Sequence, residues 1–111
     1  MKRTFEGCES LTEIAIPNSV TKIADYLFRG CSSLVQVRIP DSVTLIEHSV
    51  FQGCTSLKRV IIPESVNFVN TIGNHMFDGC NSLEEIVVPM GKRSIYENYF
   101  PDLKDKIVEQ I

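Results

Sequence analysis

The sequence predicts a repeat solenoid of α/β type, with short parallel β-strands on a concave face, an irregular or 3-10 convex side and a C-terminal helical cap. Three observations predict it. One phrase occurs four times: FEGCESLTEIAIP at 5–17, FRGCSSLVQVRIP at 28–40, FQGCTSLKRVIIP at 51–63 and FDGCNSLEEIVVP at 77–89. The phenylalanines Phe5, Phe28, Phe51 and Phe77 stand 23, 23 and 26 residues apart, and Cys8, Cys31, Cys54 and Cys80 keep the same spacing, as do Pro17, Pro40, Pro63 and Pro89. The residues that recur are mostly apolar, the kind a stack needs inside. A fixed period in the low twenties means one coil per repeat, each burying its apolar edge against the next.

The chain begins at Lys2-Arg3-Thr4-Phe5, in the middle of a coil. Solenoids need polar caps at both ends; the first strand, around Thr12–Ile16, is therefore expected to be an exposed sheet edge, which is a pairing hazard. This reads as the C-terminal part of a longer array or a truncated gene product, and it leaves end-to-end self-association open. The second copy shows how a coil is built. Val37 and Ile39 alternate inward with Arg38 outward, as a short strand requires. Pro40 ends the strand because it has no amide to donate, and Asp41-Ser42 is turn chemistry. Val43, Ile46 and Val50 return apolar side chains on the far side, and Gly30 and Gly53 are expected to take backbone angles that other residues avoid. The predicted inward columns are Leu11/Leu34/Leu57/Leu83, Ile14/Val37/Val60/Ile86, Ile16/Ile39/Ile62/Val88 and Val20/Val43/Val66, beside the Phe and Cys columns.

Leu34, Val37 and Ile39 fit L-x-x-L-x-L, the strand signature of leucine-rich repeats. The fuller pattern C-x-x-L-x-x-I-x-I-P-x-x-V, met by Cys31-Ser32-Ser33-Leu34-Val35-Gln36-Val37-Arg38-Ile39-Pro40-Asp41-Ser42-Val43, resembles the cysteine-bearing leucine-rich repeats of the BspA-like, or Treponema pallidum, type. The resemblance spans residues 4–89. It implies a right-handed coil and a bacterial protein at the cell surface or secreted, some such proteins being adhesins toward host matrix proteins or other cells. The tail from Val88 also resembles, more loosely, the closing segment of such proteins from gut Bacteroides-type bacteria.

Two segments depart from the repeat. The third coil is three residues longer, within Asn67–Gly73, and reads as a bulge on the convex side or as a functional loop. After residue 93 a cap is expected, so the organisation reads as repeats over 1–93 and a cap over 94–111. Ser94-Ile95-Tyr96-Glu97 has the form of a capping box, and Pro101 suits the first turn of a second helix. Phe100 falls 23 residues after Phe77, and Leu103, Ile107 and Ile111 recur at helical spacing.

The chain has 111 residues, suited to a single domain, with a net charge of −3 and pI near 5.3. That charge leaves no footprint for nucleic acid. No apolar run approaches the roughly 20 residues of a membrane helix, and no signal peptide follows Met1. The cysteines share one place in each coil, so they are expected to form a column of buried free thiols acting as small hydrophobes. In-register side chains point in parallel, which disfavours disulfides, and a straight column cannot converge on zinc.

No catalytic residue, metal site or cofactor is expected. His48 and His75 have no motif-spaced partner, and no phosphate-binding, dinucleotide-binding, zinc-protease or EF-hand motif occurs. What remains is the outer face of the sheet: Thr12, Glu13, Ala15; Val35, Gln36, Arg38; Lys58, Arg59, Ile61; Glu84, Glu85, Val87. Of these, Glu13, Gln36, Arg38, Lys58, Arg59, Ile61, Glu85 and Val87 form the candidate protein-binding face, a basic centre with apolar neighbours and acids at both ends. The bland alternative is that Lys58–Glu84 and Arg59–Glu85 merely pair across adjacent strands, contacts worth about 0–1 kcal/mol. The expected function is a non-enzymatic protein–protein interaction module with a protein partner. The alternatives are a structural spacer or end cap and an intracellular scaffold.

Overall fold

The computed structural model describes residues 6–24, 26–47, 49–66 and 76–110. Phe5, both histidines, the insertion at 67–73 and Ile111 lie outside the described residues.

Each repeat contributes one short strand to a parallel sheet: β1 (Glu13–Ala15), β3 (Gln36–Arg38), β5 (Arg59–Ile61) and β6 (Glu85–Val88). A fifth strand, β7 (Ile107–Glu109), adds to β6, giving the order β1-β3-β5-β6-β7. The register follows the repeat: Ile14 faces Val37, Val37 faces Val60, and Val60 faces Ile86. Val37, Val60 and Ile86 are fully buried, as are Leu34, Leu57 and Ile62. The predicted columns are thus the core, with Leu11, Ile14, Val20 and Val66 packed against it and partly buried. Phe28 stacks on Phe51 with centroids 5.7 Å apart, and Phe51 on Phe77 at 5.9 Å.

The opposite side is more regular than expected. β2 (Lys22–Ile23) and β4 (Leu45–Ile46) pair in parallel, with Ile23 facing Ile46 and both fully buried. The backbone also bonds from repeat to repeat at the glycines: Gly7 N–H donates to Arg29 O, Gly30 to Gln52 O and Gly53 to Asp78 O, each at 2.8 Å. Gly30 and Gly53 have φ of +76° and +77°, as expected. Tyr26 and Ser49, two residues before successive phenylalanines, also have positive φ, at 64° and 56°, which the sequence did not signal.

The C-terminal segment corrects the helical expectation. α1 spans Arg93–Tyr99, with Lys92 at its N-cap and no side-chain cap bond, so Ser94 lies inside the helix and the capping box does not form. Glu97 instead accepts from Arg93 Nε at 3.3 Å, one turn earlier. Pro101 does open a second helical segment, 3-10 turns over Pro101–Lys106 interrupted by a kink at Leu103, where φ is −119° and ψ 19°. Leu103 and Ile107 do not share a helical face, because Ile107 begins β7 and is buried opposite Ile86. Sheet pairing to β6 outcompetes a helix here, since it satisfies a row of β6 backbone groups that would otherwise lack partners. Phe100 meets Phe77 edge-on at 5.1 Å and ends the aromatic stack. The Glu109 carboxylate accepts from the Gly91 N–H, tying β7 to the turn before α1.

Candidate functional site

Strand alternation sends two rows of side chains to the outer face of the sheet. One row runs Glu13–Gln36–Arg59–Glu85, the other Ala15–Arg38–Ile61–Val87–Val108. Lys58 is exposed just before β5. Glu13, Gln36 and Arg38 are exposed, while Arg59 and Glu85 are half-buried.

Ile61 and Val87 do not belong to an accessible binding surface: they are 8% and 5% exposed. Both occupy interior positions of their row, with side chains of the neighbouring strands on either side. Val108, in the last strand of the same row, is 38% exposed, and Ala15 in the first is exposed.

The basic centre is partly neutralised. Arg59 Nε lies 3.1 Å from Glu85 Oε1, an ion pair without hydrogen-bond alignment. Lys58 and Glu84 are joined only through the backbone, Glu84 N–H donating to Lys58 O at 2.8 Å, and their side chains form no ion pair among the described residues. Arg38 and Lys58 thus remain the unpaired cations of this face.

Beyond the ends of the strands runs a trough. A hollow of about 710 Å³ beside β1 and β3 shares Arg38, Ile39 and Asp41 with a second, of about 610 Å³, beside β5 and β6. The second shares Pro63, Glu64, Ser65 and Pro89 with a third, of about 300 Å³, against α1. One wall is the outer row Ala15, Arg38, Ile61; the other is built three residues later in each repeat, from Asn18, Asp41, Glu64 and Met90. Turn chemistry alone does not mark Asp41 as part of a wall; the fixed offset of three residues from the outer row is the sequence signal that reveals it.

The cysteine column is a set of free thiols, Cys31 and Cys54 buried, Cys8 and Cys80 half-buried. The thiols also act as donors, which the hydrophobe reading missed: Cys54 Sγ lies 3.1 Å from Phe28 O and Cys80 Sγ 3.0 Å from Phe51 O. Burial raises the Cys31 thiol above its ordinary value and pushes Cys54 and Cys80 up to about 12. Such thiols are protonated at neutral pH, the reverse of an activated nucleophile. Among the described residues no group of three or more metal-capable side chains converges, and no helix is long and apolar enough to cross a membrane.

A parallel sheet taking one strand per repeat, with leucine, phenylalanine and cysteine columns behind it, defines a leucine-rich repeat protein. The family model described as BspA type leucine-rich repeat region matches residues 1–106, and the chain belongs to that family. It is similar to a leucine-rich repeat protein from Bacteroides ovatus, with 33% identity over 98% of this chain and a TM-score of 0.77. It is also similar to a leucine-rich cell surface protein from Faecalibacterium prausnitzii, with 32% identity over 84% of this chain and a TM-score of 0.71. The chain spans about a quarter of those structures, 27% and 24% of their lengths. No curated protein matches. Leucine-rich repeat proteins are in general non-enzymatic binding modules, and membership points to protein–protein interaction.

Proposed function

We propose that this chain is a non-enzymatic segment of a cell-surface or secreted adhesin, binding a host or cell-surface protein through the outer face of its sheet. Arg38 carries the reading: an exposed cation on the second of the five strands of that face, with no ion pair among the described residues. Lys58, Gln36 and Glu13 complete the accessible surface, with Arg59 and Glu85 beside them. A sheet held by neighbouring repeats loses little conformational freedom on binding. The surface location draws support from the Faecalibacterium prausnitzii relative, which is described as a cell surface protein. In this reading residues 1–93 form a right-handed coil of four repeats and residues 94–111 close it; Phe100 against Phe77 and β7 beside β6 support that division.

The test is binding of the purified chain to immobilised host matrix proteins, beside an Arg38→Glu/Arg59→Glu variant. Saturable binding that the variant loses supports the reading. Binding that survives both charge reversals refutes the sheet face as the site. The Arg59–Glu85 ion pair favours a second reading, a structural spacer whose outer charges serve only to join neighbouring repeats; it predicts no saturable binding by either protein.

A further inference from the structure

The trough beside the strand ends has two walls of different character. On the sheet wall Arg38 is followed, one repeat on, by Ile61. On the turn wall Asp41 and Glu64 occupy the same place in successive repeats, and Met90 takes that place in the next, 65% exposed. Arg38, Asp41 and Glu64 are exposed and make no ion pair among the described residues, so one unpaired cation faces two unpaired carboxylates across an apolar floor that includes Ile39, Pro63 and Pro89. Neighbouring repeats stand about 4.8 Å apart, so three repeat steps give a length of about 14 Å, enough for about four residues of extended chain.

An extended peptide turns successive side chains to opposite sides. Laid along this trough, it presents alternate residues to the two walls, which carry opposite charge at Arg38 and Asp41, a second carboxylate at Glu64 across from Ile61, and the exposed Met90 one repeat further on. The geometry points to an extended segment of a partner protein that sets an acidic side chain against Arg38, the next, basic, side chain against Asp41 and Glu64, and the following apolar pair against the exposed Met90 and the floor at Pro63 and Pro89. This deepens the sheet-face reading and rests on it. It names the charge order that the partner must carry, where the sheet face alone names only a protein.

Two labelled peptides of equal net charge test it, one containing Glu-Lys-Val-Leu and the other Lys-Glu-Val-Leu, titrated with the full chain at low salt and followed by fluorescence anisotropy. The first is expected to bind saturably and about tenfold more tightly than the second, a difference that added salt diminishes. Arg38→Glu combined with Asp41→Lys and Glu64→Lys is expected to reverse the preference. Asp41→Asn/Glu64→Gln, the milder change, is expected to abolish it, with the circular dichroism spectrum unchanged in both proteins. Equal binding of the two peptides, absence of saturable binding, or a preference that survives the reversal would overturn the proposal. Lys58→Glu/Arg59→Glu leaves the trough intact. Loss of matrix-protein binding in that variant, with no charge order among the peptides, sinks the trough and leaves the sheet-face reading standing.

Discussion

The thiol of Cys54 donates to the backbone carbonyl of Phe28, 3.1 Å away and one repeat back, and Cys80 repeats the contact with Phe51 at 3.0 Å. The same carbonyls already accept from the N–H of Cys31 and Cys54, both at 3.1 Å. Cys54 and Cys80 thus each fill a column and link two repeats through a backbone carbonyl. Cys54→Ala removes the donor and leaves a void at a fully buried position. A loss of about 1–3 kcal/mol in unfolding free energy is expected, read by urea denaturation; an unchanged midpoint would show that the thiol contributes neither packing nor hydrogen bonding.

Burial holds Cys54 and Cys80 at about 12, against 9.0 for an unperturbed thiol. The sign follows from proton counting: between those values the folded chain retains protons that the unfolded chain releases, so stability falls as pH rises. The contribution of these thiols to stability is expected to be level below pH 9 and to decline between 9 and 12, with a shallower decline in Cys54→Ala. A thiol-specific reagent at pH 8 is expected to modify Cys54 only as fast as the chain opens. Rapid modification of Cys54 in folded protein would contradict the buried ladder.

The aromatic stack is asymmetric. Phe51 lies between Phe28 and Phe77, fully buried with rings nearly parallel on both sides, whereas Phe100 meets both Phe77 and Tyr99 edge-on, at 5.1 and 6.4 Å. Phe51→Ala is expected to cost about 3–5 kcal/mol. Phe100→Ala is expected to cost less, because at 8% exposure it stands at the end of the stack and borders more adaptable surroundings. Equal losses in thermal unfolding would mean that the closing segment is held as tightly as the middle of the stack.

Much of this was legible in the sequence for a physical reason. A repeat forces equivalent residues into register, so column membership can be counted without coordinates: Val37, Val60 and Ile86 face one another because 23 and 26 residues separate them. Phe100 was found by the same counting. Where the count stops, the reading weakens. Leu103 and Ile107 stand four apart, which fits a helix, but the edge of β6 makes the competing offer of backbone pairing, visible only in three dimensions. Alternation placed Ile61 and Val87 on the outer face, yet which face a side chain takes does not set how far its neighbours cover it. The unpaired state of Lys58 beside Glu84, and the second wall of the trough, depend on side-chain directions that a linear pattern does not carry.

The glycine column separates backbone strain from crowding. Gly7 and Gly79 have nearly the same left-handed φ, +75° and +80°. A methyl group at Gly7 would meet nothing within 4 Å, while one at Gly79 would lie 3.4 Å from both the Cα and N of Gly53. That approach is held by the 2.8 Å bond from Gly53 N–H to Asp78 O, so the methyl presses on backbone that cannot retreat without lengthening a link between repeats. Gly7→Ala is expected to cost the left-handed penalty alone, about 1–2 kcal/mol, and Gly7→Asn less, since asparagine tolerates that region. Gly79→Ala is expected to cost more than Gly7→Ala, and Gly79→Asn is expected to recover only the strain and not the crowding. If the two alanine variants melt at the same temperature, backbone strain alone explains the glycines, and the close approach between repeats contributes nothing to their choice.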